Sequence, residues 1–113
     1  MSLLLKQSEY FWADLAKQVD WYRNQEGSEI AERFVEAVET TLDKLAEMPG
    51  LGQPRFADWP ELTGIRSWRV KPPFQRLLIF YRFDSGVLTA ERLIHGGRDL
   101  PRRLIESPFS EDD

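Results

Sequence analysis

The sequence predicts a single α+β domain in which a helical hairpin packs on a small antiparallel sheet. Apolar residues recur with a helical period up to about Glu47 and with a strand period of two after Pro54. Prolines and glycines in the segment 49–54 separate the two patterns, because these residues end helices. We therefore expect one domain over residues 1–106, followed by an acidic and flexible tail over residues 107–113.

The first elements are a short strand and a helix. Leu3–Leu5 form the strand, and Ser8 stands where its hydroxyl can accept a hydrogen bond from the first helical amides. The helix is expected over residues 9–24. Its inner face repeats at helical spacing and consists of Phe11, Leu15, Val19 and Tyr22, widened by Trp12, Ala16 and Trp21.

A second helix is expected over residues 28–47. Gly27 ends the first helix. Glu29 and Glu32 lie near the N-terminus of the second helix, where the helix dipole stabilises acidic side chains. The apolar stripe of this helix comprises Ala31, Phe34, Val38, Leu42 and Leu45. The two helices then form an antiparallel hairpin.

A loop to about Leu62 leads to a three-stranded antiparallel meander. The strands are predicted at residues 65–71, 75–83 and 87–95, and Asp84-Ser85-Gly86 joins the last two as a hairpin. Both faces of the middle strand carry apolar residues, so one face packs on the helices and the other needs a cover. That cover is either the Leu104-Ile105 segment or a partner.

A short C-terminal helix is expected over residues 99–106. Asp99 stands at its cap position, and Pro101 lies in its first turn. Phe109 is a candidate to latch the following tail onto the body of the domain.

Composition excludes several kinds of site. The chain has no cysteine and one histidine, which leaves no disulfide framework, thiol nucleophile or cysteine-based zinc site, and we expect neither a metal nor another cofactor. No apolar run approaches the roughly 20 residues that span a bilayer, and the N-terminus lacks the features of a signal peptide. A cytoplasmic location is therefore expected.

The charges are distributed unevenly. Residues 1–47 carry five Lys or Arg against ten Asp or Glu, whereas residues 48–105 carry ten against five. The basic middle of the chain has two interpretations, namely a solvated arginine-bearing sheet face or a patch for an acidic partner.

Three strings occur in a characteristic order: MPGLGQPR after the second helix, LLIFYRF in the middle strand and ERLIHGGRDL after the last strand. With the order of elements from about Leu3 to Leu104, they resemble the RelE/ParE superfamily of bacterial type II toxin-antitoxin toxins. The HGGRD and PGLGQPR segments are most similar to the ParE branch, the plasmid stabilisation proteins. This resemblance implies a growth-inhibiting toxin that forms a hetero-oligomer with a cognate antitoxin and has DNA gyrase as its target.

The sister branch implies a different activity, because RelE-like toxins are ribosome-dependent mRNA endoribonucleases. The only candidates for that chemistry are basic side chains, chiefly Arg66, Arg82 and His95. Gly96 and Gly97 follow His95, where a RelE-like nuclease would use an aromatic residue. The net charge of -4 also disfavours binding of a polyanionic substrate such as RNA. We therefore expect a binding inhibitor without catalytic residues, with the ribonuclease and an inactive antitoxin-binding module as alternatives.

The candidate partner-binding residues lie in the basic part of the chain. An antitoxin segment that folds on binding would bring carboxylates to arginines of the sheet and cover apolar hairpin residues. Most candidates also have a structural interpretation: local pairing for Arg98 and Asp99, core packing for Trp68, and a solvated sheet face for Arg66, Arg69 and Arg82. His95, outside this set, is interpreted as ordering a strand end. The full set is Arg66, Arg69, Arg76, Arg82, Arg92, Arg98, Asp99 and Trp68.

Overall fold

The computed structural model describes residues 2–97 and 99–109 and confirms the α+β fold class. In this part of the chain, three helices accompany a five-stranded sheet of order β1-β5-β4-β3-β2. The elements are β1 (Leu4–Gln7), α1 (Glu9–Glu26), α2 (Ser28–Glu47), β2 (Gln53–Pro54), β3 (Arg66–Arg69), β4 (Leu77–Asp84), β5 (Val87–His95) and α3 (Leu100–Ile105).

The helical hairpin forms as the sequence predicts. Ser8 Oγ accepts a hydrogen bond from Phe11 N at 3.0 Å, so the predicted N-cap is confirmed. α1 continues to Glu26, two residues beyond the predicted end, and Gly27 then turns the chain with φ at 99°. α2 has the predicted bounds. None of the described helices has the length and apolar character needed to cross a membrane.

The predicted widening of the α1 inner face is wrong. Trp12 is 55% exposed, Trp21 is 52% exposed, and Ala16 is also on the outside. Each of these residues is one position away from an inner-face residue, and one step along a helix rotates the side chain by about 100°. That rotation carries them past the edge of the apolar stripe.

The meander is confirmed, although its first two strands are shorter than predicted. β3, β4 and β5 pair antiparallel, and β1 adds to β5 in parallel. Ser85 and Gly86 both have positive φ between the paired residues Asp84 and Val87, which is the geometry of a type I′ hairpin turn. β1 lies at Leu4–Gln7 and not at Leu3–Leu5.

The structure adds one strand that the sequence did not predict. β2 comprises only Gln53 and Pro54, which pair with Ser67 and Arg66 of β3. A two-residue strand is too short to show an alternating pattern, and its proline suits an edge position.

Apolar residues cover both faces of the sheet. The helix-side core joins the hairpin to one face and is built around Phe11, Phe34, Leu45, Ile79 and Tyr81. The outer core covers the opposite face and contains Leu62, Ile65, Phe80, Ile94, Leu100 and Leu104. Leu104 therefore provides part of the predicted cover, whereas its neighbour Ile105 stays exposed.

The residues after α3 return to the first helix. Lys17 Nζ donates a hydrogen bond to the Pro108 carbonyl at 2.6 Å, and the Phe109 ring meets the Tyr10 ring edge-on at 5.6 Å. This contact is the latch that the sequence suggested for Phe109. Residues 110–113 lie outside the described residues.

Candidate partner-binding surface

The loop between α2 and β3 is fixed by the Tyr81 hydroxyl. Tyr81 Oη donates to the Pro49 carbonyl at 2.6 Å and accepts from Gly52 N at 2.9 Å. A Cβ on Gly52 would lie 2.5 Å from Tyr81 Oη and 2.7 Å from the Ser67 carbonyl oxygen, so only glycine fits there. The MPGLGQPR and LLIFYRF strings thus meet at one contact, and Gly52 does more than break a helix.

Asp14 holds the most buried ion pair among the described residues. Its Oδ2 accepts from Arg92 Nε at 2.7 Å, its Oδ1 accepts from Arg92 Nη2 at 3.0 Å, and both side chains are 8% exposed. Leu93 N also donates to Asp14 Oδ2, at 2.9 Å. The carboxylate therefore satisfies both a buried guanidinium and a backbone amide of β5.

Arg92 also binds the end of α3. Its Nη1 donates to the carbonyls of Arg103, Leu104 and Glu106 at 2.8 to 3.0 Å. A cation at the C-terminal end of a helix is favoured by the unpaired carbonyls there. Arg92 was a predicted partner-binding candidate, but its guanidinium is buried and links α1, β5 and α3.

Arg82 and Arg66 are half-buried and hold loops. Arg82 Nε and Nη2 donate to the carbonyls of Thr63 and Glu61, and Arg82 Nη1 lies 3.3 Å from Glu91 Oε2. Arg66 Nη1 donates to the Gly52 carbonyl at 2.6 Å. Both residues are thus engaged within the chain.

Arg69, Arg76 and Trp68 lie on a different part of the surface. Arg69 is exposed, and its guanidinium carbon lies 4.6 Å from the centre of the Trp68 ring. Arg76 is exposed just before β4. Trp68 is half-buried and packs against the helix-side core, which agrees with its structural interpretation.

The three residues of the ribonuclease alternative do not converge. Leu77 pairs with His95, whereas Arg82 pairs with Thr89, so His95 and Arg82 are about five residues or 17 Å apart along β4. Arg66 lies beside the Phe83 ring, while Arg82 holds the loop over the outer core. No catalytic cluster is therefore built from these three side chains.

His95 is exposed at the end of β5. Partial burial, followed by the cations Arg103 and Arg76, lowers the pKa of His95 below 6.5, so the imidazole is neutral at pH 7. Within residues 2–97 and 99–109, no side-chain hydrogen bond of His95 provides the expected ordering of the strand end.

The remaining two candidates, Arg98 and Asp99, precede α3 in the sequence. Asp99 occupies the predicted cap position with φ at 57°, but its side chain makes no capping hydrogen bond. Arg98 lies outside the described residues.

The chain is thus a small α+β domain in which a helical hairpin packs on one face of a five-stranded sheet. The family model for the ParE toxin of the type II toxin-antitoxin system parDE matches residues 5–100, and the chain belongs to this family. It is also similar to a solved structure described as the chromosomal ParDE TA system from P. aeruginosa. That match has a TM-score of 0.69 at 20% identity, covering 85% of this chain and 98% of that one. A search of curated proteins finds no match.

Proposed function

We propose that this ParE-family toxin inhibits DNA gyrase by stoichiometric binding and is neutralised by a cognate antitoxin in the cytoplasm. Membership of the ParE toxin family supports inhibition of gyrase. The dispersed positions of Arg66, Arg82 and His95 favour a binding inhibitor over a ribonuclease. Proton transfer and phosphate stabilisation require groups within hydrogen-bond reach of one reacting site. Inhibition by binding, as proposed, needs no cofactor.

The antitoxin contact includes those candidates whose side chains are free to meet carboxylates. Arg69 and Arg76 are exposed, and Trp68 adds apolar surface next to Arg69. Arg66, Arg82 and Arg92 already donate to acceptors within the chain. Arg98 and Asp99, which follow β5 in the sequence, stay in the proposed contact as sequence-based candidates. Arg98→Glu is expected to weaken the complex by about 1 kcal/mol in a pull-down across a salt series.

A paired assay tests the proposed activity. Supercoiling by purified gyrase and cleavage of translated message on ribosomes are each measured with the wild-type chain and with His95→Gln. A binding inhibitor retains gyrase inhibition in both proteins, because the imidazole takes no part in a proton transfer. A nuclease loses on the order of 100-fold or more in rate when its acid or base is removed.

Message cleavage that disappears in His95→Gln, with gyrase unaffected by the wild-type chain, would establish the ribonuclease instead. Absence of both activities would leave an antitoxin-binding module that has lost its target.

A further inference from the structure

Two adjoining cavities lie between the helical hairpin and residues 68–74. Their volumes are about 260 and 560 Å³, and they share the lining residues Thr40, Lys71 and Pro72, so we treat them as the two halves of one groove. Along α2 it extends from Ile30 to Lys44, which corresponds to about 21 Å at the helical rise of 1.5 Å per residue. We call it the α2–β3 groove.

The two halves of the groove differ in chemistry. Lys44, Arg69 and Lys71 are the charged residues lining the smaller half, and all three are exposed cations. The larger half has an aromatic wall, where the Tyr22 and Phe74 rings meet edge-on at 5.3 Å. Its charges are mixed, because acidic and basic residues of the hairpin both line it.

The smaller half also borders an uncovered strand edge. β2 pairs with β3 only at Ser67 and Arg66, so no described strand covers that edge of β3 beside Trp68 and Arg69. Farther along, Lys71 N donates to Thr41 Oγ1 at 3.0 Å, which closes the edge against α2. An extended backbone entering the groove can therefore meet unpaired main chain next to three cations.

We propose that the α2–β3 groove binds an extended acidic segment of the antitoxin, with carboxylates beside Lys44, Arg69 and Lys71 and an apolar side chain against Tyr22 and Phe74. About six extended residues span 21 Å at 3.3 Å per residue. The choice of an acidic segment rests on charge complementarity, since a cluster of three cations stands out in a chain of net charge -4. The identity of the partner as an antitoxin rests on the proposed function.

Charge reversal and steric block test this site independently. The probe is the full-length protein encoded immediately upstream of this chain, and its Kd for the purified chain is measured by titration calorimetry. Lys44→Glu combined with Arg69→Glu is expected to weaken binding on the order of tenfold at low salt, and by less as salt screens the charges. Thr40→Trp fills the junction of the two halves and is expected to weaken binding to a similar extent at every salt concentration.

Matched controls lie on the same protein outside the groove. Arg23→Glu combined with Arg102→Glu repeats the charge change at exposed positions, and Glu39→Trp repeats the added bulk on the neighbouring α2 residue. These controls are expected to bind within about twofold of the wild-type chain, and circular dichroism melts verify that every variant is folded.

If both groove variants bind the upstream protein with the wild-type Kd, the groove is not the binding site, although the antitoxin partnership stands. Groove variants that alter self-association in light scattering, and not the Kd, would assign the groove to a second copy and also overturn the proposal. If the upstream protein does not bind the wild-type chain, the proposed function itself fails.

Discussion

Arginines of the outer sheet face and arginines near the helical hairpin behave differently in this molecule. On the outer face, Arg92 and Arg82 donate to five carbonyls and contact two carboxylates. Near the hairpin, Arg69 and Arg76 are exposed, and Arg69 lies over the Trp68 ring. The same residue type stabilises the fold where the chain supplies acceptors and stays exposed at the surface where it does not.

The largest expected effect in this comparison is at the Asp14–Arg92 pair. Asp14→Ala leaves a buried guanidinium and the Leu93 amide without their carboxylate, and removal of one partner from a buried pair costs about 3–5 kcal/mol. The free energy of unfolding in urea measures this loss. Asp20→Ala is the control, because its pair with Arg23 is exposed and such pairs contribute about 1 kcal/mol or less.

Equal stability losses in Asp14→Ala and Asp20→Ala would contradict the distinction between the two arginine environments. A double variant, Asp14→Leu with Arg92→Met, is expected to recover part of the loss, because it removes both charges together.

A second strong effect is expected where Arg66 and Tyr81 hold the loop at Gly52. Gly52→Ala places a methyl group against Tyr81 Oη and the Ser67 carbonyl, and overpacking of this kind costs about 1–3 kcal/mol. Gly50→Ala is the matched control, since no atom lies within 4 Å of its added Cβ. Thermal unfolding that shifts equally in both variants would show that Gly52 is not packed as described.

The loop at Gly52 and the Asp14–Arg92 pair depend on contacts between distant parts of the chain, which the sequence pattern does not predict. Helical period predicted the bounds of α2 and its buried Phe34 and Val38, because a long amphipathic stripe is a strong signal. Asp14 was missed, although one carboxylate on the inner face between Phe11 and Leu15 is the signal that could have identified it. The partner, Arg92, is 78 residues away in the chain, so its pairing depends on the folded structure.

The candidate site was less predictable than the fold. Arg69 and Arg92 look alike in the sequence, and only tertiary contacts separate the exposed side chain from the buried one. The exposed Trp12 shows the same limit for apolar residues, since a stripe predicts burial only within its own width.

A smaller effect is expected from pH at His95. Its pKa in the folded chain is lowered from 6.5, so the unfolded chain binds the proton first as the pH falls. Its contribution to stability is complete above pH 6.5 and is lost as the pH falls from 6.5 through the folded-state pKa. Unfolding free energies at pH 7.5 and 5.5 are expected to differ less in His95→Gln than in the wild-type chain.

An unchanged pH dependence in His95→Gln would assign the fall in stability to other groups and show that partial burial, Arg103 and Arg76 do not disfavour the imidazolium.

The smallest effect on stability is expected at the exposed arginines. Arg69→Gln and Arg76→Gln remove cations on the surface, and such substitutions usually change stability by about 0.5 kcal/mol or less. Urea unfolding checks this expectation. A loss of about 2 kcal/mol in either variant would place that arginine with the structural group and remove it from the proposed contact.

Titration of gyrase with the toxin tests most directly whether the chain acts by binding. Supercoiling is measured at a fixed gyrase concentration, well above the Kd, while the toxin concentration and the incubation time are varied. Stoichiometric inhibition predicts that activity falls linearly to a break at a fixed toxin-to-gyrase ratio and does not change with further incubation. Continuing loss of activity with time at a small fraction of that ratio would show turnover and contradict a binding mechanism.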